Sequence, residues 1–227
     1  VIKEKEIVVP GQVLAKGMDY LPSYGTYRKD EEIHASMLGL AQVNGKVIKL
    51  IPLSGKYNPK KNDKVIAKVI DILFSGWRVD INCGTSAVLS PQEASSNFIE
   101  RGADLSKYFD IDEYIYCMIT NVTSQKLVDV TMKGPGMRKL QGGRIIEITP
   151  NKVPRVIGKQ GSMVTQLKEA TGSQITVGQN GRIWIMNEDP EKEISTVEAI
   201  YMIEKFSHIS GLTDKVNEFL KSKGLVN

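Results

Sequence analysis

Residues 153 to 177 read Val-Pro-Arg-Val-Ile-Gly-Lys-Gln-Gly-Ser-Met-Val-Thr-Gln-Leu-Lys-Glu-Ala-Thr-Gly-Ser-Gln-Ile-Thr-Val. Apolar Val156 and Ile157 lead into Gly158-Lys159-Gln160-Gly161, after which Met163, Val164, Leu167 and Ala170 recur at helical spacing. Gly172 supplies a C-terminal stop, and alternating Ile175 and Val177 begin a strand. The run therefore predicts a helix, a tight two-glycine turn, a second helix and a strand. Two positions without a Cβ let a sugar-phosphate backbone come close, and the helix that starts there offers N–H groups to phosphate. A bare Gly-x-x-Gly carries little information. Val156-Ile157 before it, Leu167 six residues after it and Thr171-Gly172-x-x-Ile175 behind make the pattern specific.

Working outward, Arg144 to Ile148 reads as a strand and Asn151 to Ile157 as the short first helix. Downstream, Gly178-Gln179-Asn180-Gly181 turns the chain into the strand Arg182-Ile183-Trp184-Ile185. Asn187-Glu188-Asp189-Pro190 then opens a long helix with Ile194, Val197, Ile200 and Tyr201 on its expected buried side. Leu212 to Lys223 is a further amphipathic helix. The order β-α-α-β-β-α, with glycines at 158 and 161, resembles a type I KH domain, whose GXXG loop clamps about four nucleotides of single-stranded nucleic acid. That resemblance assigns backbone contacts to Gly158, Lys159, Gln160 and Gly161, and phosphate neutralisation to Arg155 and Lys159. Apolar Ile157 and Ile175 are expected to line the surface on which bases lie.

Charge supports the same region. The net charge is only +4, but between Met132 and Lys168 eight basic residues (Lys133, Arg138, Lys139, Arg144, Lys152, Arg155, Lys159, Lys168) stand against Glu147 alone. This local excess of seven positive charges leaves the rest of the chain net negative by three. A basic segment centred on a phosphate-gripping turn is where an electrostatic footprint belongs; a solvated basic face is the competing reading.

The hydrophobic content of 41% and charged content of 25% are those of a globular chain. Cys83 and Cys117 have neither a disulfide-framework nor a zinc spacing and read as buried, reduced thiols of a cytoplasmic protein. No apolar run approaches the roughly 18 residues of a membrane span, and no signal peptide is visible, so no membrane association is expected.

Two further blocks precede residue 141. In the first, about residues 1–60, Ile7 to Leu14, Ile33 to Val43 and Lys46 to Ile51 are strand-like, with Asn44-Gly45 as a hairpin turn and the Tyr20 to Asp30 stretch as a loop. This β-rich block is small for an independent core and is expected to dock on a partner. The second block, 61–140, holds five strand candidates: Lys64 to Leu73, Trp77 to Ile81, Ser86 to Leu89, Tyr114 to Val122 and Lys126 to Met132. Ser90-Pro91-Gln92-Glu93 is a capping box that places a short helix after the third strand. Five strands with such a connection predict an OB-fold barrel. The whole is a multidomain α+β chain, with a KH module and C-terminal helix at 141–227.

In that order, the blocks resemble the KH-containing RNA-binding cap subunits of the archaeal exosome. The resemblance rests on Asp63 to Val69 opening an S1-type barrel, on Gly76-Trp77-Arg78-Val79-Asp80-Ile81 in its second strand, and on the Ile157 to Gly161 loop. Val9-Pro10-Gly11 and the Asn44-Gly45 hairpin are similar to that family's N-terminal domain. It implies a non-catalytic subunit in RNA degradation and processing. Three copies would sit on a hexameric ring of phosphorolytic, ribonuclease PH-like subunits and guide the 3′ end of single-stranded RNA into the channel. S1-type barrels often stack bases on an aromatic in strand two and a His in strand three, whereas Ala87-Val88-Leu89 lacks a His. The barrel is therefore expected to act as a charged collar through Arg78, Lys126 and Lys133. Trp77 is either a base-stacking residue or an edge-strand aromatic packed on a neighbouring loop.

Catalytic constellations are sparse. His34 and His208 lack metal-ligand spacing, and the Gly158 to Gly161 loop lacks the Gly-Lys-Ser/Thr ending of a nucleotide-binding P-loop. Asp110, Asp112 and Glu113 are the most metal-like carboxylates, against a solvated loop as the simpler reading. No enzyme, cofactor or metal is expected. Two alternatives stay open: an S1/KH-type transcription or translation factor, and a nuclease built on the Asp110 cluster.

Overall fold

Glycine and proline divide the first block into shorter strands than its apolar runs suggest. The computed structural model describes residues 2–4, 6–53, 55–100, 102–207 and 211–225. His208 lies outside the described residues. The chain forms two compact units, Val1–Gly55 and Lys56–Asn227.

The first unit contains β1 (Ile7–Val8), β2 (Val13–Lys16), β3 (Leu21–Pro22), β4 (Thr26–Lys29), β5 (Glu32–Ala35), β6 (Gly39–Asn44) and β7 (Val47–Pro52). They make a four-stranded sheet, β1-β6-β7-β3, and a three-stranded sheet, β2-β5-β4. Gly11, at φ 85°, bends the expected 7–14 strand so that its halves join different sheets. The expected 33–43 strand divides in the same way between Ala35 and Gly39. Residues 20–30, expected as a loop, carry β3 and β4, and Tyr27 stacks on His34 with ring centroids 5.5 Å apart. The β6–β7 hairpin forms, but Asn44 still pairs with Val47, so its turn is Gly45-Lys46. Val8, Leu14, Ala15, Ile33, Ala35, Ala41, Ile48 and Leu50 form the core of this unit.

In the second unit β8 (Lys64–Leu73), β9 (Gly76–Asp80), β10 (Ser86–Leu89), β11 (Tyr114–Val122) and β12 (Val128–Thr131) run side by side as β12-β10-β9-β8-β11. Pairing of β12 with the Met118–Val122 part of β11 closes them into a barrel and leaves the first residues of β11 open on that side. Alternate residues point inward: Val65, Ala67 and Val69 from β8, Trp77 and Val79 from β9, Ile115, Cys117 and Ile119 from β11. Each fully buried aliphatic side chain contributes about 1.5–3 kcal/mol relative to exposure. Burial also pushes the Cys117 thiol up to about 12.

The short helix α1 (Pro91–Ala94) is present, but the Ser90 side chain makes no cap bond. The Ser90 carbonyl, accepting from the N–H groups of Glu93 and Ala94, starts the turn instead. A strand absent from the sequence reading, β13 (Arg138–Leu140), adds to the barrel sheet by pairing with β11.

The rest of the unit is β14 (Arg144–Glu147), a 3-10 turn at Pro150–Lys152, α2 (Val153–Ile157), α3 (Ser162–Thr171), β15 (Gln174–Val177), β16 (Arg182–Met186), α4 (Pro190–Lys205) and α5 (Leu212–Ser222). The antiparallel sheet order is β14-β16-β15. The buried stripe of α4 is Thr196, Ala199, Ile200 and Ile203, while Ile194 and Tyr201 are exposed. Of the expected stripe, Ile200 is buried and Val197 is half-buried against the core, while the small residues Thr196 and Ala199, which hydrophobicity undervalues, take the places expected of Ile194 and Tyr201. Thr196 fits by sharing a hydrogen bond with the Ser173 hydroxyl at 2.9 Å.

Candidate nucleic-acid interface

The glycine corner lies between α2 and α3. Gly158 sits at φ 75°, Gln160 at φ 55° and Gly161 at φ 84°, so three of its four residues use the left-handed half of backbone space. A Cβ at Gly158 would lie 2.7 Å from the Met163 nitrogen, whereas one at Gly161 would meet nothing within 4 Å. Gly158 is thus required by the fold. Gly161 keeps an open approach to the start of α3, where no side chain caps the helix. Lys159 and Gln160 are exposed, as is Arg155 one turn earlier on α2. Ile157 is half-buried against the module's core.

Two expected base-facing residues do not face solvent. Ile175 is 4% exposed and packs inside the KH core, so it cannot line a base surface. Trp77 is 0% exposed: it fills the barrel, its Nε1 donates to the Phe109 carbonyl at 2.9 Å, and its ring meets Phe109 edge-on at 5.2 Å. Trp77 therefore cannot stack a base, and the packed-aromatic alternative describes it, in the interior rather than at an edge.

The remaining barrel residues are exposed. Arg78 lies on the outer face of β9, 3.7 Å from Asp71 across the strand pair. Lys126 occupies the β11–β12 turn at φ 60°, and Lys133 follows β12 with its N–H donating to Thr131 Oγ1 at 2.9 Å. Phe74, in the β8–β9 hairpin, is an aromatic that the strand-by-strand reading passed over and is 94% exposed.

Within the basic segment, three residues have intramolecular partners. Lys139 pairs with Glu113 at 2.5 Å and Arg144 with Glu193 at 3.0 Å, while Arg138 lies 5.3 Å over the Trp184 ring. Among the described residues, Lys133, Lys152, Arg155, Lys159 and Lys168 form no ion pair, so their charge is free for an external anion.

Sequence reasoning missed what fixes the module to the barrel. The turn Gly178–Gly181 is seated on β8: the Gln179 N–H donates to the Lys64 carbonyl at 2.8 Å. Asn180 is fully buried, accepting from the Ile66 N–H and donating to the Ile66 and Ile81 carbonyls at 2.8 and 3.0 Å. Beside it Arg182 spans Asp80 and Glu147 at 2.5 and 2.9 Å. Burial of Arg182 opposes its charge, but the two carboxylates outweigh burial and hold the guanidinium charged. Ile66, Leu140 and Trp184 pack between the barrel and the back of the KH sheet, joined by Tyr114, Tyr116 and Ile145. The KH sheet is consequently covered on both faces, by helices and by the barrel. A polar Gly-x-Asn-Gly turn carries no sequence mark of being buried.

The metal-like carboxylates are engaged otherwise. Asp112 pairs with Lys68 at 2.7 Å, and Glu113 accepts from the Asp110 N–H besides holding Lys139. Among the described residues no group of three or more potential ligands is placed to hold a metal ion. No described helix is long and apolar enough to cross a membrane.

Comparison with known proteins fits this architecture. Residues 7–44 match the "Exosome complex exonuclease RRP4 N-terminal region" family and residues 143–191 match a KH domain family. The exosome complex component Rrp4 of Thermococcus kodakarensis is 41% identical over 225 residues, spanning 98% of this chain and 87% of that protein. The chain belongs to the Rrp4 family of exosome components. Rrp4 of Methanothermus fervidus is 44% identical over 220 residues, covering 96% of both chains. A crystal structure described as a candidate exosome complex RNA-binding protein superposes with a TM-score of 0.69 at 32% identity, covering 75% of this chain and 98% of that one. The Rrp4 family thus accounts for the β-rich first unit, the barrel and the KH module together.

Proposed function

We propose that this chain is a non-catalytic RNA-binding cap subunit of an exosome, which holds single-stranded RNA and directs its 3′ end into a phosphorolytic ribonuclease. The observation that carries the binding step is the open glycine corner: Gly161 without a close neighbour, an uncapped ten-residue helix behind it, and unpaired Arg155 and Lys159 beside it. Phosphate oxygens approach the backbone there, the helix N-terminus favours negative charge, and the two side chains neutralise it. None of these contacts reads a base edge, so binding tolerates many sequences, which suits a subunit that feeds varied transcripts to a nuclease.

In this reading residues 1–60 dock on the ring, 61–140 form the barrel that follows the strand, and 141–227 hold the grip. Three copies cap a hexameric ring of ribonuclease PH-like subunits in the cytoplasm. Arg78, Lys126 and Lys133 supply weak, salt-sensitive contacts to the strand. The ion-paired state of Asp112 and Glu113 favours the non-catalytic reading over a nuclease centred there.

Reconstitution tests the proposal. Mixed with the ring subunits of its own source, the chain should co-elute with them and accelerate phosphate-dependent shortening of a single-stranded RNA. By itself it should leave the same RNA intact with Mg²⁺ or phosphate. Elution apart from the ring, or degradation by the chain alone that Asp112→Ala abolishes, would overturn it.

A further inference from the structure

After the glycine corner come α3, β15 and the loop that joins β15 to β16. Here that loop is the four-residue turn Gly178–Gly181, and it is locked to the barrel rather than free to close on a ligand. Chain geometry shows what stands beside the corner in its place. Helix α3 doubles back through Gly172 and Ser173 into β15, so its N-terminal corner lies at the same end of the module as that turn. β14 ends there too, since Glu147 pairs with Arg182 and the Ile148 N–H donates to the Gly181 carbonyl at 2.8 Å. The next segment leads through Lys152 and Arg155 to Lys159.

On the barrel side of the same turn is the lead-in to β8. The Lys64 carbonyl accepts the Gln179 N–H, which places Lys64 directly against the turn. Just before it come Lys60 and Lys61, held by the Asn62 N–H donating to the Ile119 carbonyl at 2.8 Å. All three lysines are exposed, and among the described residues none forms an ion pair. The one acid among them, Asp63, forms no ion pair with them among the described residues: it accepts the hydroxyl of buried Tyr57 at 2.6 Å, which leaves the stretch net positive by two. Burial, with that carboxylate beside it, pushes the Tyr57 phenol well above its usual range, so the hydroxyl stays a donor.

We propose that Lys60, Lys61 and Lys64 form a second phosphate-binding stretch that receives a single RNA strand as it passes from the glycine corner onto the barrel. This rests on the corner being an RNA grip, as proposed above. The ligand is the phosphodiester backbone, with no base preference at this stretch, and the locked turn keeps the two stretches at a fixed separation. A strand long enough to reach both gains affinity by effective concentration, whereas a short one occupies the corner alone.

The test is fluorescence anisotropy of the full chain with labelled uridine oligomers of about four and about twelve nucleotides, within the range single barrels cover. The variants are Lys60→Gln/Lys61→Gln/Lys64→Gln and, separately, Lys159→Asp/Gln160→Asp. The triple variant should lose about tenfold in affinity for the long oligomer only, and its log–log salt slope should fall by about two, from three phosphates at about 0.7 each. The corner variant should weaken both oligomers. An unchanged salt slope and affinity in the triple variant, with the corner variant still weak, overturns the second stretch and leaves the corner standing. Equal loss on both lengths in the triple variant also overturns it. If the corner variant binds both oligomers normally, it is the grip at the corner that fails.

Discussion

The side-chain amide of Asn180 closes on the backbone of Ile66 at both ends, accepting its N–H at 3.2 Å and donating to its carbonyl at 2.8 Å. A KH turn residue thus completes the hydrogen bonding of a barrel strand as a neighbouring strand would. With Arg182 held between Asp80 and Glu147 alongside, the two modules share one buried polar seam. Rigid coupling follows, because breaking the seam leaves desolvated groups without partners on both sides.

Asn180→Ala should therefore cost about 3 kcal/mol, by leaving buried backbone groups of Ile66 and Ile81 unsatisfied. Calorimetry should show Lys56–Asn227 unfolding in one transition in the parent chain and in two in the variant, as barrel and KH module uncouple. A melting curve superimposable on that of the parent chain would show that the seam does not hold the modules together.

Trp77→Ala should destabilise the barrel by about 3–5 kcal/mol through the cavity it leaves. Because Trp77 and Trp184 are both buried, saturating RNA should leave tryptophan emission unchanged. Quenching of Trp77 emission by RNA in a Trp184→Phe background would contradict its interior placement.

Gly158→Ala should destabilise far more than Gly161→Ala, although both residues have positive φ. At position 158 the added methyl meets the backbone of Met163, whereas at 161 the cost is the backbone conformation alone, about 1–2 kcal/mol. Urea titration of both variants checks the order; equal midpoints would mean that Gly158 is not packed as described.

Acid should weaken the β11–β13 side of the barrel. Burial raises the Glu113 carboxyl, but the Lys139 ammonium and the Asp110 N–H outweigh it and hold the group below its usual 4.5. A depressed folded-state value means that the pairing stabilises fully above about pH 4.5 and is lost as pH falls through the lower folded value. Glu113→Gln should flatten this limb of a Tm-against-pH curve. An identical limb in the variant would assign the acid sensitivity to other carboxylates.

Much of this architecture was legible because it is periodic. The five barrel strands, the two-glycine corner and the β-α-α-β-β-α order all announce themselves in alternation, helical spacing or glycine placement. What was hidden depends on contacts between segments distant in sequence. Trp77 gives no local sign of facing inward, since its partner Phe109 comes 32 residues later. Asn180 reads as an ordinary turn residue until Ile66, 114 residues earlier, is brought against it. β13 forms because β11 offers it an edge, not because Arg138-Lys139-Leu140 favours a strand. In the first unit, bends at Gly11 and between Ala35 and Gly39 share continuous apolar runs between two sheets, a choice that local propensity does not express.

The most direct measurement is the affinity of Lys159→Asp/Gln160→Asp for a single-stranded RNA at low salt, read beside its thermal melt. Both side chains are exposed and neither bears on the core, so the melt should stay within a degree or two of the parent while affinity falls by about tenfold or more. Undiminished affinity in a folded variant would contradict the claim that RNA is held at the glycine corner.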